Sequence, residues 1–100
     1  MILLPFPFTD LLGSKKRPAL VLMATEMDVT VSFITTQLKW QTENDVLIEP
    51  TELNGLKKDS LIRLNKLATI DRNLADGILG RLGESDTSFV NIALRKLLKL

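Results

Sequence analysis

One hundred residues with 45% hydrophobic content and a formal net charge of +1 describe one small domain with a modest core, and they do not mark a general nucleic-acid binder, so any basic site must come from local clusters. The chain has no His, Cys or Tyr, which removes paired-histidine ribonuclease chemistry, cysteine nucleophiles, thiolate or imidazole metal sites, and disulfides. Any catalysis falls to Arg, Lys, Asp, Glu, Ser and Thr, and the lack of Cys agrees with a reducing cytosol.

In chain order, Ile2-Leu3-Leu4 reads as a first strand stopped by Pro5-Phe6-Pro7-Phe8, an edge or a bend because Pro supplies no ladder donor. This apolar start is too short for a signal peptide, and no run approaches the ~20 residues of a membrane span. Residues 9–16 read as a loop with Gly13-Ser14 as its turn signal.

Residues 17–23 and 28–37 predict the central hairpin. Val29, Val31 and Phe33 fall on one face of the second strand, and Thr30, Ser32 and Thr36 on the other. Residues 19–23 are apolar without alternation, as in a strand covered on both faces. A turn centred near Glu26 sets Arg17 opposite Thr35, with Cβ atoms roughly 4.5–5.5 Å apart. A slip of one residue moves the two to opposite faces.

Residues 38–44 form a polar connection carrying the single Trp, Trp40, and residues 45–49 a strand ended by Pro50. Residues 51–59 form a loop with the turn dipeptide Asn54-Gly55. In residues 60–70, Leu61, Leu64 and Ala68 suit a helix face, while Ile62, Leu64, Ala68 and Ile70 suit a strand. A strand is expected, because the preceding segments are strands. Residues 71–76 read as a turn or a single helical turn. Gly77 and Gly80, each costing a helix close to 1 kcal/mol, predict a short strand over 77–81.

A helix is expected over 86–99, capped by Ser85 or Asp86. Val90, Ala93, Leu94, Leu97 and Leu98 form its apolar stripe, and Arg95, Lys96 and Lys99 complement its dipole. The fold class is mostly β, a small antiparallel barrel with one C-terminal helix. Two basic clusters stand out, Lys15-Lys16-Arg17 and Lys57-Lys58, and for each a solvated turn is the ordinary reading.

This order of short strands, an Arg-Pro hairpin and a closing helix resembles the MazF/PemK family of toxin–antitoxin toxins. The resemblance is carried by Pro5-Phe6-Pro7-Phe8-Thr9-Asp10 and Gly13-Ser14-Lys15-Lys16-Arg17-Pro18-Ala19-Leu20-Val21-Leu22. It continues through Ile34-Thr35-Thr36-Gln37, Asp59-Ser60-Leu61-Ile62 and Ala68-Thr69-Ile70-Asp71, in the family's order. It implies a single domain over residues 1–100, an SH3-like barrel of the MazF/CcdB type. It further implies a homodimer in the bacterial cytoplasm that cuts single-stranded RNA, mRNA included, without metal or cofactor and is neutralised by a cognate antitoxin. Many members have a longer stretch before the position of Pro5, so a shortened first strand is expected.

By the same resemblance, Arg17 and Thr35 form the active site. Where some members carry an acidic residue before the Arg-Pro, this chain has Lys15 and Lys16, so no carboxylate base carries over from that position. RNA is cut when its 2′-hydroxyl attacks the neighbouring phosphate. The Arg17 fork suits the phosphorane oxygens, with Lys15 or Lys16 beside it. Thr35 suits a hydrogen-bond donor, and Asp10, in the same loop region, is the candidate proton acceptor. Lys15, Lys16, Thr36, Gln37 and Trp40 are the candidate RNA contacts, Trp40 by base stacking. Phe6 and Phe8 suit core or dimer contacts better. One rival is a non-enzymatic gyrase poison of the CcdB kind, which would depend on the C-terminal helix and dimer surface rather than on Arg17 and Thr35. Another is an inactive member of the family.

Overall fold

The computed structural model describes the backbone of residues 1–10, 13–75 and 77–100, and the side chains of residues 1–5, 16–75 and 77–100. Six strands, β1 (Ile2–Asp10), β2 (Gly13–Ala24), β3 (Asp28–Thr35), β4 (Asp45–Ile48), β5 (Ser60–Asp71) and β6 (Gly80–Arg81), form one antiparallel sheet in the order β4-β5-β3-β2-β1-β6. One helix, α1 (Glu84–Leu98), closes the chain and packs against β4 and β5. One-turn 3-10 helices follow β3 (Leu38–Trp40) and β5 (Arg72–Leu74).

The first hairpin is longer than the sequence predicts. β1 is not shortened and does not stop at Pro5; it runs nine residues and pairs with β2 from Leu3↔Leu20 to Asp10↔Gly13. The expected loop over 9–16 is therefore largely strand. The carbonyls of Met1 and Leu3 accept N–H groups from Leu82 and Leu79, so odd-numbered residues of β1 turn their polar groups away from β2. Pro5 and Pro7 fall on that outer side, beyond the two residues that β6 covers, where their missing N–H breaks no described ladder.

The same alternation points the backbone of Pro18 toward β3. β2 and β3 pair in the expected register at Ala19↔Phe33, Leu20↔Ser32 and Val21↔Val31, but the ladder stops at Ala19↔Phe33, so Arg17 and Thr35 are not paired across it as expected. β3 stops at Thr35, two residues before the expected end.

Irregularities in two ladders bend the sheet. One shifts register between Val21 and Met23, and in the other the β5 partner jumps from Leu67 opposite Ser32 to Arg63 opposite Phe33. The bent sheet brings β6 to the loop that follows β4, where the Arg81 N–H donates to the Leu53 carbonyl at 2.9 Å. Closure at this seam is made by that loop rather than by a strand ladder.

The main core lies between the bent sheet and α1 and includes Leu3, Leu20, Ile34, Ile48, Ile62, Leu64 and Val90. Each such side chain contributes roughly 1.5–3 kcal/mol by burial. A smaller cluster of Ala19, Val29 and Val31, with Leu4, Val21, Phe33, Ile70 and Ala75, covers the other face. β2 is thus covered on both faces, as its unbroken apolar run predicts. β3 holds a surprise: its Val29-Val31-Phe33 face serves the smaller cluster, and Ile34 joins the main core. Ser32, on the face read as polar, is fully buried and its hydroxyl donates to the Arg63 carbonyl at 2.7 Å, where the ladder jumps.

α1 starts at Glu84 with Gly83 as N-cap and no side-chain cap, not at Ser85 or Asp86. Glu84 and Asp86 complement the dipole of its first turn instead. Of the predicted stripe, Val90, Ala93, Leu94 and Leu97 face the core, whereas Leu98 is 52% exposed. The short strand near 77–81 shrinks to Gly80–Arg81, with Gly77 at φ 84° in the approach to it.

Candidate active site

Two adjoining cavities open where β2 and β3 part. The smaller, about 190 Å³, is lined by Arg17, Pro18, Ile34, Thr35, Thr36 and Gln37. The larger, about 410 Å³, shares Arg17, Pro18 and Thr36 with it and extends to the loop at Gly55, Leu56, Lys57 and Lys58. Pro18 explains the opening, since without an N–H it cannot continue the ladder beyond Ala19↔Phe33. Arg17 is held by pairing with Phe6 of β1, and Thr35 by pairing with Leu61 of β5. The two residues therefore reach one cavity from neighbouring strands, each held by its outer partner strand.

Their polar groups differ in commitment. Among the described residues, none pairs with the exposed Arg17 guanidinium, so its planar fork is open to a ligand. The Thr35 Oγ1 accepts the Gln37 N–H at 3.1 Å. That bond fixes the oxygen and leaves the hydroxyl proton free to donate. No described carboxylate lines either cavity.

The larger cavity brings the two basic clusters of the sequence together, with Lys16 and Arg17 on one wall and Lys57 and Lys58 on the other. Lys57 and Lys58 are not among the site residues that the sequence singles out, and the signal for them is their own doublet just after Asn54-Gly55. Thr36 lines both cavities and Gln37 the smaller one. Trp40 lines neither; it sits 54% exposed in the 3-10 turn after β3, with the Lys39 ammonium 5.8 Å from its ring centroid. The Lys15 and Asp10 side chains lie outside the described residues; their backbones stand opposite Phe8 and Gly13 in the first hairpin.

The loop carrying Lys57 and Lys58 is held by a buried amide. Asn54 Oδ1 accepts the N–H groups of Thr51 at 3.0 Å and Leu56 at 2.9 Å, while its Nδ2 donates to the Glu49 carbonyl at 2.9 Å. Gly55 sits at φ 69°, and a Cβ there would lie 2.5 Å from the Leu79 carbonyl oxygen. Only glycine fits that position.

Comparison with known proteins agrees with this geometry. A family profile described as PemK-like, MazF-like toxin of type II toxin-antitoxin system matches residues 2–98. No curated protein matches the sequence significantly. Among solved structures, Mycobacterium tuberculosis toxin MazF-mt6 superposes with a TM-score of 0.80 at 22% identity, covering 100% of this chain and 98% of that one. An endoribonuclease in complex with its cognate antitoxin, from a mycobacterial species, gives 0.76 at 19% identity, over 99% of this chain and 92% of its own. A mycobacterial endoribonuclease gives 0.69 at 19% identity, over 96% and 88%. At such identities the superpositions speak for the fold, a mostly β, antiparallel MazF-like sheet with a C-terminal helix. The profile, running through both walls of the cavity, speaks for the family: the chain belongs to the PemK-like, MazF-like toxins of type II toxin–antitoxin systems.

Proposed function

We propose that this toxin is an endoribonuclease that cuts single-stranded RNA by attack of the RNA's own 2′-hydroxyl, without a metal ion. The observation that carries the proposal is the shared cavity of Arg17 and Thr35, one with a fork that no described residue pairs and the other with an oriented hydroxyl. Arg17 binds two oxygens of the phosphorane and offsets the charge that develops there, usually the largest single catalytic contribution. Thr35 donates one hydrogen bond to the same phosphate and fixes its orientation for in-line attack. Lys16, Thr36 and Gln37 hold the flanking backbone. Asp10 takes the 2′-hydroxyl proton, Lys15 adds charge beside it, and Trp40 stacks on a base further along the strand.

The partners follow the same reading. A cognate antitoxin neutralises the toxin in the bacterial cytoplasm; a mycobacterial endoribonuclease of similar fold is known bound to its own antitoxin. Among the described residues no helix is long and apolar enough to cross a membrane. A homodimer is supported by the outer side of β1, which β6 pairs only at Ile2 and Leu3 among the described residues. Exposed Ile78 lines a cavity together with Ile2 and Leu4 of this strand.

The test is incubation of purified toxin with an unstructured RNA, with products examined for a 2′,3′-cyclic phosphate. Cyclic ends that disappear in Arg17→Ala support the proposal. Growth arrest by a toxin that leaves RNA intact defeats it.

A further inference from the structure

The second basic doublet sits on a loop too firmly held to be an ordinary solvated turn. Besides the Asn54 bonds, the buried Ser60 hydroxyl donates to the Lys58 carbonyl at 2.9 Å, and the Arg81 N–H donates to the Leu53 carbonyl at 2.9 Å. Gly80 packs so closely on this loop that a Cβ would lie 2.5 Å from the Asn54 carbonyl oxygen. Two exposed ammonium groups are thus carried on an anchored backbone, across a cavity from Arg17.

The cavity's chemistry narrows its occupant. It is apolar at Pro5, Pro18, Leu56 and Leu79, and cationic at Lys16, Arg17, Lys57 and Lys58. At about 410 Å³ it falls within the usual range for organic ligands, roughly 300–1,000 Å³. Apolar surface between cationic walls matches a nucleotide, whose base is flat and poorly hydrated and whose phosphates carry the charge. Arg17 and Thr36 belong to both cavities, so a strand with its scissile phosphate in the smaller one continues into the larger.

We propose that Lys57 and Lys58 bind the phosphates of the nucleotide next to the cut bond, with its base against Pro5, Pro18, Leu56 and Leu79. This rests on the RNA reading of the Arg17–Thr35 cavity. Point charges on flexible stems bind phosphate without organising a transition state, so the two lysines act on affinity and Arg17 on turnover.

The experiment compares wild type, Lys57→Ala/Lys58→Ala and Lys57→Glu/Lys58→Glu, all checked by circular dichroism for unchanged folding. One assay is cleavage of an unstructured mixed-sequence RNA; the other is binding of the same RNA with every 2′-hydroxyl methylated, so that it is not cut. The alanine pair is expected to weaken binding on the order of ten- to a hundredfold at low salt. It should also flatten the log–log salt dependence by about 1.4, the share of two phosphates on a single strand. KM should rise by a similar factor with kcat within about twofold, and the glutamate pair should lose more. Unchanged affinity and salt slope in both pairs, with a wild type that binds and cuts, overturns the proposal and leaves the RNA reading standing. A fall in kcat at unchanged affinity also overturns it. A wild type that neither binds nor cuts RNA but takes an acidic peptide in a Lys57- and Lys58-dependent way overturns the RNA reading itself.

Discussion

The Gln37 N–H donates to Thr35 Oγ1 at 3.1 Å, at the point where β3 leaves the sheet. The bond uses the acceptor side of the hydroxyl and leaves its proton for a ligand. Thr35→Ala removes that donor and should lower kcat on the order of ten- to a thousandfold, as loss of one transition-state donor does. Thr35→Ser keeps the oxygen and should retain most activity. Steady-state kinetics on both variants decides it, and equal losses in the two would contradict the donor role.

Arg17 is exposed and unpaired among the described residues, so it contributes little to stability and is available to substrate. Arg17→Ala should abolish RNA cleavage while shifting unfolding free energy by no more than about 0.5 kcal/mol. Arg17→Lys should recover only a small part, because a point charge cannot reproduce the bidentate fork. Full activity in the alanine variant would sink the mechanism.

Cation chemistry at the phosphate should make activity insensitive to a chelator. With no His in the chain, the rate profile should also lack a limb near pH ~6.5. Activity measured across pH after exhaustive chelation tests both points. Recovery that requires added divalent metal would refute the metal-free route.

Asn54 is 1% exposed and satisfies two amide N–H groups and one carbonyl of the 49–56 loop. Asn54→Ala strands those groups and should cost about 2–4 kcal/mol, lowering Tm by roughly 4–8 °C per kcal/mol in a domain of this size. Gly80→Ala should destabilise as well, since its Cβ meets backbone atoms of Leu53 and Asn54 at 2.5 Å. Differential scanning calorimetry measures both, and wild-type melting in Asn54→Ala would show the network to be dispensable.

The outer side of β1, an apolar strand that β6 covers only at Ile2 and Leu3 among the described residues, should be buried against a second copy. Sedimentation equilibrium at micromolar concentration should give twice the 11.2 kDa of the chain. A single species at the monomer mass contradicts the dimer.

Features written in local pattern are readable from the chain alone. The alternation of Val29, Val31 and Phe33, the apolar run of Leu20 to Leu22 and the stripe from Val90 to Leu97 each encode their element through a period of a few residues. The hairpin is readable for the same reason, but the register set by a turn near Glu26 holds only from Val21↔Val31 to Ala19↔Phe33: next to the turn the pairs are one residue off, and Arg17 and Thr35 lie beyond the end of the ladder. The Arg-Pro and Ile-Thr segments, in that order, carry the family.

What the tertiary structure decides is which distant pieces meet. That Ser32 is buried depends on the Arg63 carbonyl, thirty-one residues away, exposed by the irregular β3–β5 ladder. Pro18 opens the site only because β3 lies on the side its missing N–H would face. Lys57 and Lys58 join Arg17 only because the bent sheet brings β6 against the Asn54 loop. Sequence by itself determines the central strands, the helix, the family and the two basic clusters, but not the length of the first hairpin, whose strands run through the prolines and the expected loop. Only the fold turns those clusters into opposite walls of one cavity, because sheet bending and loop closure sum contacts that no local window contains.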